Sequence, residues 1–217
     1  MEKLSNIQKF FLATISSITT GYFINILSGL SDNTSLLIFL ALVLTIIIIG
    51  IINYFIESIF ENSAWVRKLI LGNDYIEGYW YDLTIEKDNS VKWATMLHIF
   101  YENGELMVSG SGYYPNGEKV AVFKSTYLNY KDKTLVFEYK SLTTAVTNFI
   151  ELGINQLMFE TPPTTYTGFF IDYTNSLRFI VHGTKVTKED FIKFKKFSND
   201  TYQKQYLLEK INHVLKA

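Results

Sequence analysis

Cysteine is absent from the 217 residues. That excludes a thiol nucleophile, a disulfide framework and thiolate metal sites. Histidine is scarce. His98, His182 and His213 stand apart without metal-ligand spacing, and each reads as a surface or core side chain. No metal and no cofactor are expected. A Gly-x-Ser-x-Gly elbow is missing. Gly110-Ser111-Gly112 lies in an alternating stretch rather than ahead of a helix, so no dinucleotide fingerprint is present. The reading is therefore of a protein that is not an enzyme. Net charge is missing too. Of 20 basic and 21 acidic residues, four of each precede residue 73, leaving 16 against 17. A near-neutral domain is poorly suited to gripping long nucleic acid through its phosphates. A small charged ligand in an internal pocket stays compatible with that balance.

Charge is entirely absent from two runs, Phe10 to Leu30 and Leu36 to Ile56. Each has about the length a helix needs to cross a bilayer, roughly 20 residues. The first is the more polar, with Ser16, Ser17, Thr19, Thr20 and Asn25. Such side chains hydrogen-bond within their own helix or across to a neighbour. The run is too long for the apolar core of a signal peptide, and no small-x-small cleavage pattern follows it. The polar link Ser31 to Ser35 reads as a tight turn, so residues 1–60 are expected to form a transmembrane hairpin with spans near 10–30 and 36–56. Lys3 and Lys9 precede the first span, Arg67 and Lys68 follow the second, and the turn carries only Asp32. That bias predicts a multi-pass protein with both termini cytoplasmic. Tyr54, Phe55 and Trp65 fall where an interfacial aromatic belt lies.

Residues 61–72 read as a connector that continues the second helix and breaks at Gly72-Asn73. Residues 73–217 read as one domain with a core of its own. There the period changes from helical to alternating. Tyr79, Tyr81, Leu83 and Ile85 alternate with Trp80, Asp82 and Thr84, and Val91 to Ile99 continues after the turn Lys87 to Ser90. Turn signals recur at Asn103-Gly104, Pro115-Asn116-Gly117 and Asp132-Lys133. Ser141 to Phe159 looks less regular and ends in a strand over Asn155 to Phe159. A last pair is expected around Thr174-Asn175-Ser176. About eight strands with hairpin-length links predict an all-β antiparallel barrel, which leaves no open sheet edge. A helical segment closes the chain. Thr187 to Asp190 fits a capping box, Phe191, Phe194 and Phe197 follow, and Asn199-Asp200-Thr201 restarts a helix with the stripe Leu207, Ile211 and Val214.

Three features point to ligand binding in this domain. It is rich in aromatic residues, among them Trp80, Tyr81, Trp93, Tyr114, Tyr166 and Phe170, whose faces stack on nucleobases. Aromatic residues are also ordinary strand formers and barrel filling. Lys124 shares an alternation face with Val120 and Val122, as a lysine at a barrel mouth or on an anion does. Arg178 interrupts a closing strand and has the fork that pairs with a phosphate, although a rim charge is the plainer reading. The candidate ligand-binding set is Lys124, Arg178, Trp80, Tyr81, Trp93 and Tyr114.

Two spans, a short connector and then Tyr75-Ile76-Glu77-Gly78-Tyr79-Trp80-Tyr81-Asp82 opening an all-β domain make a recognisable order. So do Val108 to Tyr113 with the later Gly117, Gly153 to Phe159, and Tyr166-Thr167-Gly168-Phe169-Phe170. The chain resembles the two-transmembrane β-barrel effectors of CBASS, the cyclic-oligonucleotide-based anti-phage signalling systems of bacteria. That resemblance implies that a partner nucleotidyltransferase makes a cyclic dinucleotide and that the barrel binds it as its activating ligand. It further implies that the protein then oligomerises and disrupts the inner membrane, killing the infected cell. Two other readings stand beside it. One is a membrane-tethered, lipocalin-like carrier of an apolar ligand. The other is a scaffolding barrel filled by its own side chains.

Overall fold

A computed structural model describes residues 2–28, 34–85, 91–143, 150–173, 176–190, 192 and 200–214. The chain divides into two compact units, Met1–Gly72 and Asn73–Ala217.

The first unit is helical. Helix α1 spans Glu2–Ser28 and α2 spans Thr34–Asn62. The two pack together, and the hydroxyls of Thr20 and Thr45 meet at 3.2 Å between them. Each hydroxyl also lies 2.8 Å from a carbonyl of its own helix, Thr20 from that of Ser16 and Thr45 from that of Ala41, so one donates back to its helix while the other is able to donate across. Small Ala41 is buried at the same contact, as a close helix approach needs. Among the described residues, one helix is long and apolar enough to cross a membrane, over Phe39–Asn62, with a mean hydropathy of 2.7.

The connector is not a simple continuation of α2. Ser63 adopts extended backbone and caps a separate helix, α3, at Ala64–Leu71, its side chain accepting from the Val66 N–H. Arg67 turns back and donates to the Phe60 and Glu61 carbonyls, both at 2.7 Å. Those groups sit in the last turn of α2, where carbonyls lack helical partners and a cation is favoured. This local capping is what allows the break at Ser63. Gly72 ends α3 at φ 56°, a conformation that glycine adopts without penalty.

The second unit is a closed antiparallel barrel of eight strands in sequence order. The strands are β1 Gly78–Ile85, β2 Val91–Glu102, β3 Glu105–Tyr113, β4 Lys119–Lys131, β5 Thr134–Thr143, β6 Ile150–Phe159, β7 Thr165–Asp172 and β8 Arg178–Lys185. Strand β8 pairs back onto β1, with Trp80 opposite Lys185 and Thr84 opposite Val181. Two tight turns use positive φ at both central residues, Asn103-Gly104 and Asp132-Lys133, matching the twist of the strands they join. The irregular stretch expected after Ser141 is in fact strand at both ends: β5 runs to Thr143 and β6 begins at Ile150, not Asn155. Glu151, Gly153 and Asn155 share the inward face of β6, so the polar-inside pattern hid the strand. The turns expected at Lys87 to Ser90 and at Thr174-Asn175, and the aromatics Phe191, Phe194 and Phe197, lie outside the described residues.

One half of the barrel interior is solid. Trp80, Leu97, Val108, Leu135, Phe137 and Leu157 are fully buried there. The Trp80 indole N–H donates to the Ile76 carbonyl at 2.8 Å, and its ring meets Phe159 edge-on at 5.0 Å. Glycine makes room for the inner rings: a Cβ on Gly183 would strike Tyr166, and one on Gly153 would strike Tyr139. Outside the wall, helix α4 (Asp200–Val214) buries Tyr206, Leu207 and Ile211 against Leu83, Ala94 and Met96. Thr187 caps a helical turn as its spacing predicts, accepting from the Asp190 N–H at 3.2 Å.

Candidate ligand cavity

The other half of the barrel is hollow. A cavity of about 300 Å³ lies among the starts of β2, β4, β6 and β8 and the ends of β3, β5 and β7. That volume is at the lower end of the range for small-molecule sites. Most of its residues come from strands, because alternation aims every second side chain inward, while Tyr114 and Leu177 flank β3 and β8. One wall is aromatic. Phe170 and Phe179 stack at 4.9 Å between centroids, and Trp93 lies 5.1 Å from Phe179 and 5.8 Å from Phe170. Phe123 and Tyr139 face the space from β4 and β5, 5.8 Å apart.

Polar groups are set among these rings. Asp82, Glu151 and Asp172 line the cavity, together with Asn155 and Ser141. Asp82 is 4% exposed. Its Oδ2 accepts from the Tyr166 hydroxyl at 2.8 Å, while Oδ1 has no hydrogen-bond partner among the described residues. Burial pushes the Asp82 carboxyl up to about 6, against the opposing pull of the Tyr166 and Thr95 hydroxyls. Burial and the neighbouring Asp82 charge raise the Tyr166 hydroxyl well above its usual value, so it remains a donor. The Tyr139 hydroxyl is also raised, first by burial and then by Asp172 and Glu151. Lys92 is the cation of the lining. Its ammonium lies 5.1 Å from the Trp93 ring centroid and 4.7 Å from that of Phe179. Since β2 and β6 stand four strands apart in the barrel, Lys92 and Glu151 mark opposite sides of the rim. Among the described residues no cluster suits a metal ion.

No protein-family model and no curated protein sequence matches the chain. A solved structure described as a redesigned beta barrel, mFAP1, bound to DFHBI is similar to it at 13% identity and a TM-score of 0.40, over 52% of this chain and 97% of that one.

The six residues expected to bind ligand divide sharply. Trp93 and Tyr114 line the cavity. Trp80 faces inward but is sealed in the solid half, 0% exposed. Tyr81 is on the outer wall under α4, edge-on to Tyr206 at 5.7 Å. Lys124 is on the outer wall too, exposed and paired with Glu102 at 3.3 Å. Arg178 lies outside, its guanidinium 3.9 Å from the Phe169 ring centroid. The Lys124 expectation failed at a bulge. Val120 is the extra residue opposite Gly112 and Tyr113, so it reaches the cavity while Val122 and Lys124 face out. Sequence reasoning missed Asp82, Lys92, Glu151, Asn155, Asp172 and Phe179. The signal for Asp82 was present: a carboxylate on the same alternation face as Trp80, in a strand whose other face is apolar.

Proposed function

We propose that the protein is a membrane-anchored receptor whose barrel senses a small ring-containing ligand and whose N-terminal helices act on the bilayer. The observation that carries this reading is the cavity: half of a barrel left hollow, walled by aromatic rings and provided with polar groups. Side chains fill a barrel of this size when nothing else is to occupy it. The length and apolarity of Phe39–Asn62 support a membrane span. The Thr20–Thr45 contact supports a paired second helix in lipid, where hydroxyls join neighbouring spans.

The resemblance to CBASS effectors makes the ligand a cyclic dinucleotide, produced by a partner nucleotidyltransferase of a bacterial cell. In this reading the barrel is cytosolic, the helices cross the inner membrane and both termini are cytoplasmic. One base enters the aromatic cavity, and the phosphates stay at the rim on the Lys92 side, away from Glu151. Lys124 and Arg178 take no part. Ligand binding then drives association to the extent that the assembled form binds more tightly, and assembled helices breach the membrane. A purely apolar cargo fits less well, because it would leave the Asp82, Glu151 and Asp172 carboxylates buried against hydrocarbon. The test uses the full chain reconstituted in liposomes holding a quenched dye. A cyclic dinucleotide is expected to release the dye only when the protein is present. Intact liposomes across purine and pyrimidine cyclic dinucleotides, with no heat of binding, would end this reading.

A further inference from the structure

Asp82 carries a question that the receptor reading leaves open, namely which base is recognised. Asp82 lines the cavity; its Oδ1 is buried without a hydrogen-bond partner among the described residues, while Oδ2 is held by Tyr166. A buried acceptor without a donor is costly, and a ligand that brings donors recovers that cost. A carboxylate has about four acceptor sites, so beyond the Tyr166 bond and the pull of the Thr95 hydroxyl it keeps two. The site therefore asks for neighbouring N–H donors on the edge of a flat ring, and the Trp93, Phe170 and Phe179 rings supply the face on which that ring stacks.

We propose that the cavity selects a guanine base, whose N1–H and N2 amino group address the Asp82 carboxylate while the ring stacks on the Trp93–Phe170–Phe179 wall. The proposal rests on the receptor reading and sharpens it. Among the common bases, guanine alone has two adjacent donors on its pairing edge. Adenine and cytosine each set a donor beside an acceptor, and uracil has one donor between two acceptors. An acceptor lone pair directed at the carboxylate is repelled. Asn155, in the same lining, brings an amide N–H suited to the guanine O6. The carboxylate at about 6 is largely ionised at pH 7, so it accepts rather than donates.

The full chain in detergent micelles is titrated calorimetrically with cyclic di-GMP, cyclic GMP–AMP, cyclic di-AMP, cyclic di-IMP and guanosine. Cyclic di-IMP keeps N1–H and lacks the amino group. Both guanine-containing dinucleotides are expected to bind at least ~10-fold more tightly than cyclic di-AMP, and cyclic di-IMP is expected to be ~10-fold weaker than cyclic di-GMP. Asp82→Asn, which replaces one acceptor by a donor, is expected to lose ~10-fold for guanine ligands and nothing for cyclic di-AMP. The cyclic di-IMP comparison on the unaltered chain decides the matter if that variant does not fold. Equal binding of all four dinucleotides, insensitive to Asp82, overturns guanine selection and leaves the receptor reading standing. Guanosine binding that depends on Asp82, without binding of any cyclic dinucleotide, upholds base recognition and overturns the cyclic dinucleotide. No binding of any probe overturns both.

Discussion

At neutral pH the Asp82 carboxyl, raised to about 6 by burial, is ionised inside the barrel against its preference. Its unfolded value is near 3.8, so between pH 4 and 6 the folded chain binds the proton more readily than the unfolded one. A carboxyl raised in this way adds stability at low pH, and that stability is lost as pH rises from about 4 through about 6. The rise from 3.8 to about 6 corresponds to about 3 kcal/mol. An Asp82→Asn variant has no proton to exchange at this position. Relative to the parent chain, the variant should therefore gain roughly 2 kcal/mol between pH 4 and pH 7, because at pH 4 the unfolded carboxyl is already more than half ionised, read from denaturant midpoints of the barrel at each pH. A constant difference across that range would mean that Asp82 is not desolvated. The residue scale is also where the sequence was least legible. In β4 both alternation faces are apolar at the start, Val120 and Val122 on one and Ala121 and Phe123 on the other, so composition does not say which face is inside. A bulge then alters the count, and a second one between Ser125 and Tyr127 alters it again. Lys124 was misplaced for that reason, and no pattern in the sequence announces a bulge.

Elements were more legible than residues. The count of eight strands and the closing helix follow from period and turn chemistry, and each is present among the described residues. What period does not reveal is a partner. Tyr79, Tyr81, Leu83 and Ile85 form an apolar outer face that looks like the barrel core, while the polar face of Asp82 and Thr84 is the one turned inward. The outer face is apolar because α4 covers it. Leu207 is 0% exposed at the centre of that contact, and the Lys210 ammonium lies over both the Tyr81 and Tyr206 rings at 5.6 and 4.9 Å. Leu207→Ala should cost the barrel about 2–5 kcal/mol, the range for a buried leucine whose neighbours relax only in part. Exposed Gln205 on the same helix should tolerate alanine within about 0.5 kcal/mol. Equal and small effects at both positions would show that α4 adds nothing to the barrel's stability. The polar interior explains the missed start of β6 as well: a strand lining a wet cavity with Glu151 and Asn155 reads as loop when the inside is assumed to be oily.

At the scale of the whole molecule, the receptor reading assigns sensing and membrane action to separate units of the chain, divided between Gly72 and Asn73. The cavity is built from residues of the second unit alone, and its strands close on one another without help from the helices. A chain beginning at Asn73 keeps the solid half of the barrel, the α4 contact and every cavity residue, so it has a core sufficient for independent folding. It loses the apolar helix Phe39–Asn62, the element suited to a bilayer. The truncated chain should therefore be soluble without detergent and melt cooperatively. It should bind the same cyclic dinucleotide within about 3-fold of the full chain, since 3-fold is well under 1 kcal/mol and no contact has been removed. In liposomes it should release no dye at any ligand concentration, and in cells that make the cyclic dinucleotide it should not be toxic. Each half of that expectation bears on a different step. Loss of binding on truncation would place part of the ligand site in residues 1–72. Toxicity from the barrel alone would locate the killing activity in the barrel, and the search for a catalytic group would then begin with the buried Asp82–Tyr166 pair.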